Sequence, residues 1–248
     1  MKFLMLILLF CVQLYSVSPS HKKLMINSGF KQPEATLIMN VVKAVFKKAN
    51  IPLQMQILPT KRSLINASLG IDDGDATRIW DLHKFFPTLY KVPIQTYQND
   101  VVAITTKRLP LNKFEDLKPY NVGIVRGMKI VEVEMDALKA KSNIKVTSHE
   151  KLLQMLVSHR IDVAFADRAS LLQEIKKHQI KNLYLYKKPL MILPLYIHLY
   201  KTHKHLIPKL TKAAKSLQSK GILKKIKKDF DANLDKSVYN ILTVIDNH

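Results

Sequence analysis

The feature that most constrains this chain is a change of hydrophobic period that repeats. Leu24 to Asn27 is a short apolar strand candidate ending at Ser28-Gly29-Phe30. Ile38, Val41, Val42, Val45, Phe46 and Ala49 then recur at helical spacing, and Pro33 is placed to open that helix. Ile51, Leu53, Met55 and Ile57 alternate strictly, as a strand does. Pro59 opens a second helix through Leu69, and Gly70 stops it. Strand, helix, strand, helix predicts an open α/β sheet. The order returns downstream. Val122 to Val125 predicts a strand, followed by a helix to about Ala140 and a strand from Ile144 to Val146. Thr147-Ser148-His149-Glu150 has capping-box spacing before a helix over Lys151–Ser158. Ile161 to Ala166 predicts a buried strand ended by Asp167, with a helix over 168–178 and a strand over Leu183–Tyr186.

Two such series, joined by extended segments at 101–105 and 193–200, predict two lobes and two crossovers, each lobe with its own sheet. The chain leaves the first lobe, builds the second and returns. The expected division is residues 21–103 with 197–248 for the first lobe and 104–196 for the second. Residues 71–78, Ile-Asp-Asp-Gly-Asp-Ala-Thr-Arg, read as a polar loop. Helices at 204–219 and about 222–230 close the fold, and residues after 231 read as a C-terminal extension of the first lobe.

The first twenty residues stand apart. Lys2 precedes an apolar run from Phe3 to Val12, and small residues follow at Ser16, Ser18 and Ser20. That is the form of a secretory signal peptide, with an apolar run too short to span a bilayer. Pro19 disfavours cleavage after Ser18, which leaves Ser16 or Ser20; the alternative is an uncleaved anchor. The expected location is therefore periplasmic. Cleavage removes Cys11, the single cysteine, so the mature chain can form no disulfide and no cysteine-based zinc site.

Lys and Arg number 40 against 19 Asp and Glu, a formal net charge of +21. Such a balance favours anionic partners. However, the lysines are spread along helix faces, densest at Lys220, Lys224, Lys225, Lys227 and Lys228, with no aromatic-interleaved RNA motif. Solvated helix faces account for them, and no nucleic-acid partner is expected.

Three segments carry a resemblance. Phe114-Glu115-Asp116-Leu117-Lys118 with Val122-Gly123-Ile124-Val125-Arg126-Gly127, His159-Arg160-Ile161-Asp162-Val163-Ala164-Phe165-Ala166-Asp167, and Ser219-Lys220-Gly221-Ile222-Leu223-Lys224-Lys225-Ile226 fall in the order and spacing of the extracellular solute-binding proteins of family 3. These are the polar amino-acid-binding proteins of ABC transporters. The likeness runs from about Leu24 to Phe230. It implies a two-lobed, type II periplasmic-binding-protein fold, a Venus flytrap with the ligand held between the lobes.

The resemblance also implies a ligand site at the C-terminal ends of the strands. Arg78 matches the arginine that grips a ligand carboxylate, a task suited to a planar guanidinium. The family's Ser/Thr-rich run before it is replaced by Asp72-Asp73-Gly74-Asp75. Asp75 faces the cleft or orients Arg78; the alternative is a plain Arg–Asp surface pair. Arg126, Gly127 and Met128 join a strand to a helix N-terminus, whose free N–H groups favour an anion; the alternative is a simple tight turn. Met128 stands where the family has a hydroxyl residue. Asp167 matches the aspartate that pairs with a ligand amino group, or it caps the following helix. Phe30 stacks on the ligand or belongs to the core. Arg62, at a helix start, faces the cleft or solvent. Trp80 and Tyr196 line the cleft or fill the core. On this reading Arg78→Ala costs ligand binding more than folding.

No G-x-S-x-G, H-E-x-x-H or P-loop is present, and His203 and His205 sit among lysines, which disfavours a metal. The expectation is a non-enzymatic, monomeric binding protein without cofactor. It would capture a small polar ligand, such as an amino acid, by hinge closure, and present it to a membrane transporter or sensor. The alternative is a basic extracytoplasmic protein that binds envelope polyanions.

Overall fold

The structure is a computed structural model that describes residues 23–235 and 238–246. The N-terminal apolar run and its cleavage positions lie outside the described residues. No helix among those described is long and apolar enough to cross a membrane.

The chain forms a mixed α/β fold. In the first series β1 (Leu24–Ser28) pairs in parallel with β2 (Leu53–Ile57) and with β3 (Gly74–Arg78). Helix α1 (Glu34–Lys48) buries Leu37, Ile38, Val41, Val42, Val45 and Phe46, the face its sequence period marks out. Helix α2 (Thr60–Leu69) ends where Gly70 takes a left-handed conformation. In the second series β5 (Asn121–Val125), α3 (Lys129–Leu138), β6 (Ser142–Val146), α4 (His149–Val157), β7 (Val163–Asp167) and α5 (Arg168–His178) follow in turn, then β8 (Leu183–Tyr186). The capping residue of α4 is Ser148, whose hydroxyl accepts from the Lys151 N–H at 3.2 Å.

Two long strands link the series. β4 (Leu89–Thr105) and β9 (Met191–Tyr200) run antiparallel from the Leu89–Tyr200 pair to the Val101–Met191 pair. β9 also pairs with β3, and the far end of β4 pairs with β7 and β8. Hydrogen bonding therefore continues along one path, β2-β1-β3-β9-β4-β7-β5-β6. This corrects the expectation of a separate sheet in each lobe. The cause is the length of β4: it is 17 residues long, against the five read from the sequence, so the crossover itself carries the ladder from one series to the other.

The apolar cores still divide. One cluster holds Ile26, Ile38, Phe46, Leu195, Leu199 and Leu217, with residues from both ends of the first series. The second series builds a core on each face of its sheet. Val102, Ile104, Ala164 and Ala166 pack on one face. Val101, Ala103, Val163 and Phe165 pack on the other. Alternate residues of β4 and β7 thus go to opposite faces, as the strand period requires.

Three further expectations change. Residues 74–78 are not loop but β3, buried along its whole length. A 3-10 turn over Lys201–Leu206 precedes α6 (Ile207–Ser219), and α7 (Ile222–Asp235) follows. The C-terminal extension does not join the first lobe: β10 (Leu242–Ile245) adds to β8 in parallel, and Val238 and Leu242 enter a core of the second series.

Candidate functional site between the lobes

The acidic run that departs from the expected pattern proves to be an internal anchor. Asp72 accepts from the amides of Asn27 and Asn66 at 2.7 Å each and from Gln56 at 3.2 Å. Asp73 accepts from the Met25 N–H at 2.7 Å and pairs with His203 Nε2 at 2.6 Å. Asp75, fully buried, accepts from the Ser63 hydroxyl at 2.5 Å, the Thr77 N–H at 2.9 Å and its hydroxyl at 3.1 Å. It also takes Arg78 Nε at 2.8 Å and Nη2 at 2.5 Å. Each carboxylate of the run thus has donors around it, which the burial of Asp72 and Asp75 demands.

Arg78 is 8% exposed. Its Nε–Nη2 edge is taken by Asp75, and Nη2 also donates to the Thr60 carbonyl at 2.9 Å. Asp75 therefore orients Arg78, one of the two roles open from sequence. The pair is a buried one, not a surface one. Thr60 donates to the Gly29 carbonyl, and the Gly29 N–H donates to Thr77, so the ends of β1, β2 and β3 are tied around the guanidinium. Arg62, one turn into α2, is exposed and enters none of these bonds among the described residues.

The turn at 126–128 is already occupied. Gly127, at φ +108°, donates its N–H to Glu132 Oε1 at 2.7 Å, and Lys129 Nζ lies 3.0 Å from Glu132 Oε2. The Gly127 N–H and Lys129 hold the Glu132 carboxyl below its ordinary range. An anion does sit at this helix start, as its geometry favours, but it belongs to the chain. Arg126 is exposed and donates from Nε to the Lys145 carbonyl at 3.3 Å. Met128 is half-buried against the second-series core.

Asp167 closes β7 and caps α5, accepting the Ser170 N–H at 2.9 Å. Its other oxygen lies 2.6 Å from His149 Nε2. Glu34, at the first turn of α1 in the first series, meets the same Ser170. Ser170 donates to Glu34 Oε1 at 2.9 Å. Glu34 is 2% exposed and Asp167 5%. Burial, then the charge and hydrogen bond of Asp167, push the Glu34 carboxyl well above its ordinary value. Burial opposes ionisation of Asp167 too, but His149 and the other bonds outweigh it and hold that carboxyl far below its usual range. Burial likewise opposes the charged form of His149, yet the Asp167 bond and charge raise it above the usual histidine value. The two carboxyls are thus pushed in opposite directions, Glu34 towards its neutral form and Asp167 towards its charged one.

Tyr97 completes this cluster. Burial first, then the charges of Glu34 and Asp167, push its hydroxyl well above the ordinary value. Phe30 meets the Tyr97 ring edge-on at 5.6 Å and packs on the first-series core. Behind the pair, a recess lined by Leu37, Tyr97, Asp100, Arg168, Lys227 and Asp231 has room for about one water molecule, roughly 20 Å3. Tyr196 lies under Lys91 Nζ, 5.7 Å from its ring centre. The side chain of Trp80 lies outside those described. Glu150, Glu174 and His178 bring oxygens and a nitrogen within 4.8 Å of one another at a largely exposed position, where Glu174 already pairs with Lys177 and His178.

The structure thus gathers Arg78 with Asp75, and Asp167 with Phe30 through Tyr97. Sequence reasoning missed Glu34, His149 and Ser170. Glu34 looks like an ordinary acid at a helix start and His149 like part of a cap, so only their shared approach to Asp167 marks them.

No family model and no curated protein matches the sequence. Solved structures do match. The GluR0 ligand-binding core in complex with L-glutamate superposes with a TM-score of 0.70 at 12% identity, covering 85% of this chain and 99% of that one. A histidine kinase sensor domain with similarity to periplasmic binding proteins gives 0.67 at 12%, over 85% and 96%. The arginine-, lysine-, histidine-binding protein ArtJ from Geobacillus stearothermophilus gives 0.61 at 15%, over 87% and 100%. The fold is that of type II periplasmic-binding-protein-like domains.

Proposed function

We propose that this chain is an exported solute-binding protein of the family 3 type. It captures a small polar ligand, an amino acid in the first instance, between its two lobes and hands it to a transporter or sensor. The named structural neighbours are a ligand-binding core, a sensor domain and an amino-acid-binding protein. The observation that carries the reading is the contact between the two series: Glu34 of the first accepts from Ser170 of the second, whose N–H donates to Asp167 at the C-terminal end of β7. Strand ends of an α/β sheet are where such folds bind ligands, and a ligand touching both lobes favours the closed state by its differential affinity. In this reading Asp167 receives the ligand's amino group, and the end of Arg78 not covered by Asp75 receives its carboxylate. Phe30 and Tyr97 form the aromatic wall. The 126–128 turn accepts a ligand only after displacing Glu132.

The test is a thermal-shift panel of amino acids, amines and carboxylates on the mature protein. A bound ligand at 100 times its Kd stabilises by about 2.7 kcal/mol, and a panel with no responsive member would count against the reading.

A second reading rests on charge. Lys209, Lys212, Lys215, Lys220, Lys224, Lys225, Lys227 and Lys228 are all exposed on α6, α7 and the turn between them. These would dock on envelope polyanions. Retention on an anionic polymer that falls steeply with added salt, together with a silent ligand panel, favours it.

A further inference from the structure

Strands β1, β2 and β3 run parallel, so their first residues share one end of the first series, opposite the end that carries Arg78. β9 arrives there antiparallel: the Tyr200 N–H donates to the Asp73 carbonyl at 2.9 Å, and Leu89 at the start of β4 pairs with Tyr200. The last turn of α2, the loop to β3 and a 3-10 turn over Trp80–Lys84 lie at this end. They are joined, since the Thr88 hydroxyl donates to the Ser68 carbonyl at 2.7 Å and Leu82 and Phe86 pack with Ala67. Phe85 is 74% exposed, Ile71 66% and Leu69 65%, the three most exposed large apolar side chains among the described residues. An isolated exposed apolar residue is ordinary; three gathered at one end form a patch.

The exposed charges around the patch are basic. Lys47 and Lys48 end α1, and Lys84 ends the 3-10 turn. Lys201 and Lys204 follow β9, with Nζ 5.8 Å from the Tyr200 ring centre and 4.5 Å from that of Tyr90. Asp72 and Asp73 are engaged internally, by Asn27, Asn66, Met25 and His203. The chain enters β1 at this end through Lys23, so the residues that precede it in sequence, the apolar run Phe3 to Val12 among them, join the fold here. An apolar centre in a basic rim fits an anionic lipid surface, whose acyl boundary takes the apolar side chains and whose phosphates take the ammonium groups. A soluble polyanion would use the lysines and leave Leu69, Ile71 and Phe85 in water. Two copies meeting face to face would set one lysine rim against another, which like charge opposes.

We propose that this end of the first series docks on an anionic lipid bilayer, with Leu69, Ile71 and Phe85 in the boundary between headgroups and acyl chains and Lys84, Lys201 and Lys204 on lipid phosphates. Docked in this way, the strand ends that carry Arg78 face away from that bilayer. The inference rests neither on ligand capture nor on the lysines of α6 and α7.

The test is flotation of the mature protein with phosphatidylcholine vesicles, with and without phosphatidylglycerol. Every described element lies after residue 20, so the mature chain keeps them all. The parent is expected to float with the vesicles that contain phosphatidylglycerol, and less so as salt is added. The variant Leu69→Ser, Ile71→Ser, Phe85→Ser is expected to bind roughly a hundredfold more weakly, from the apolar area it withholds. Phe85→Ser alone, expected to bind about tenfold more weakly, keeps the test readable if the triple variant fails to fold. Lys201→Gln with Lys204→Gln weakens binding to the anionic vesicles while leaving the fold intact, read as an unchanged Tm. Val133→Ser, 63% exposed on α3 of the second series, binds like the parent. A parent that does not float, serine variants that bind like the parent, or an equal loss in Val133→Ser would overturn the proposal. So would a parent that self-associates without lipid through the same three residues, since the patch would then be an interface between copies.

Discussion

Arg78 shows how one residue's role changes once its partners are known. Its guanidinium is held by a fully buried Asp75, so Arg78→Ala leaves a charge in the interior without its counter-ion. Breaking a buried pair from one side costs about 3–5 kcal/mol. The expectation that Arg78→Ala harms binding more than folding is therefore reversed: a large drop in unfolding free energy is expected, while the exposed Arg62→Ala stays within about 0.5 kcal/mol of the parent. Denaturant titration of both variants decides this. His198 is a second case. It is fully buried in β9, with Nδ1 facing the Tyr196 carbonyl at 3.3 Å and Nε2 without a partner among the described residues. Burial lowers it from 6.5 to about 4. The unfolded chain takes up a proton near 6.5 while the folded chain stays neutral, so its contribution to stability is complete above that pH and is lost as pH falls towards 4. His198→Leu, which removes the titrating ring, should flatten the acid limb of the Tm–pH curve.

Strand β3 is the element that the polar composition of residues 71–78 concealed. It contributes Gly74, Asp75, Thr77 and Arg78 to a position buried between β1 and β9. The donors around Asp75 make its burial tolerable. Gly74 lets β9 approach: a Cβ there would lie 2.4 Å from the His198 carbonyl oxygen and 3.0 Å from Ile26. Gly74→Ala must shift backbone rather than a flexible side chain. A loss of about 1–3 kcal/mol is expected, the range of overpacked interiors, read from the shift in denaturant midpoint. Helix α3 carries the second lesson at this scale. Its N-terminus attracts an anion, but Glu132, within its own first turn, fills the place. Period and capping rules foresee the attraction; they do not say which carboxylate answers it.

At the scale of the whole molecule, the first turn of α1 meets α5 where the Ser170 hydroxyl donates to Glu34 Oε1 at 2.9 Å. Asp167→Asn keeps the cap on α5, since asparagine caps about as well as aspartate. It removes the charge that His149 and a ligand amine would share. An amine-bearing ligand from the panel should then lose affinity, while an amine-free one should lose little. Calorimetric titration of the folded variant checks this, and unchanged affinity for the amine would reduce Asp167 to a cap with a histidine partner.

What the sequence determined is the series of elements. Apolar residues at helical or alternating spacing select helix or strand locally, and α1, β2, α2, β5 and β7 lie close to where that spacing places them. The two-lobed α/β class follows from their order. The length of β4, the burial of β3 and the docking of β10 on β8 were decided by tertiary pairing, because a ladder extends wherever a partner strand offers free N–H and C=O groups. The site divides in the same way. Arg78 and Asp167 stand out by position in a pattern, whereas Glu34 and His149 acquire meaning only when folding brings Glu34 within reach of Ser170, 136 positions away, and His149 within reach of Asp167, 18 positions away. Proximity of that kind changes how tightly a carboxyl holds its proton, and no local rule of spacing encodes it.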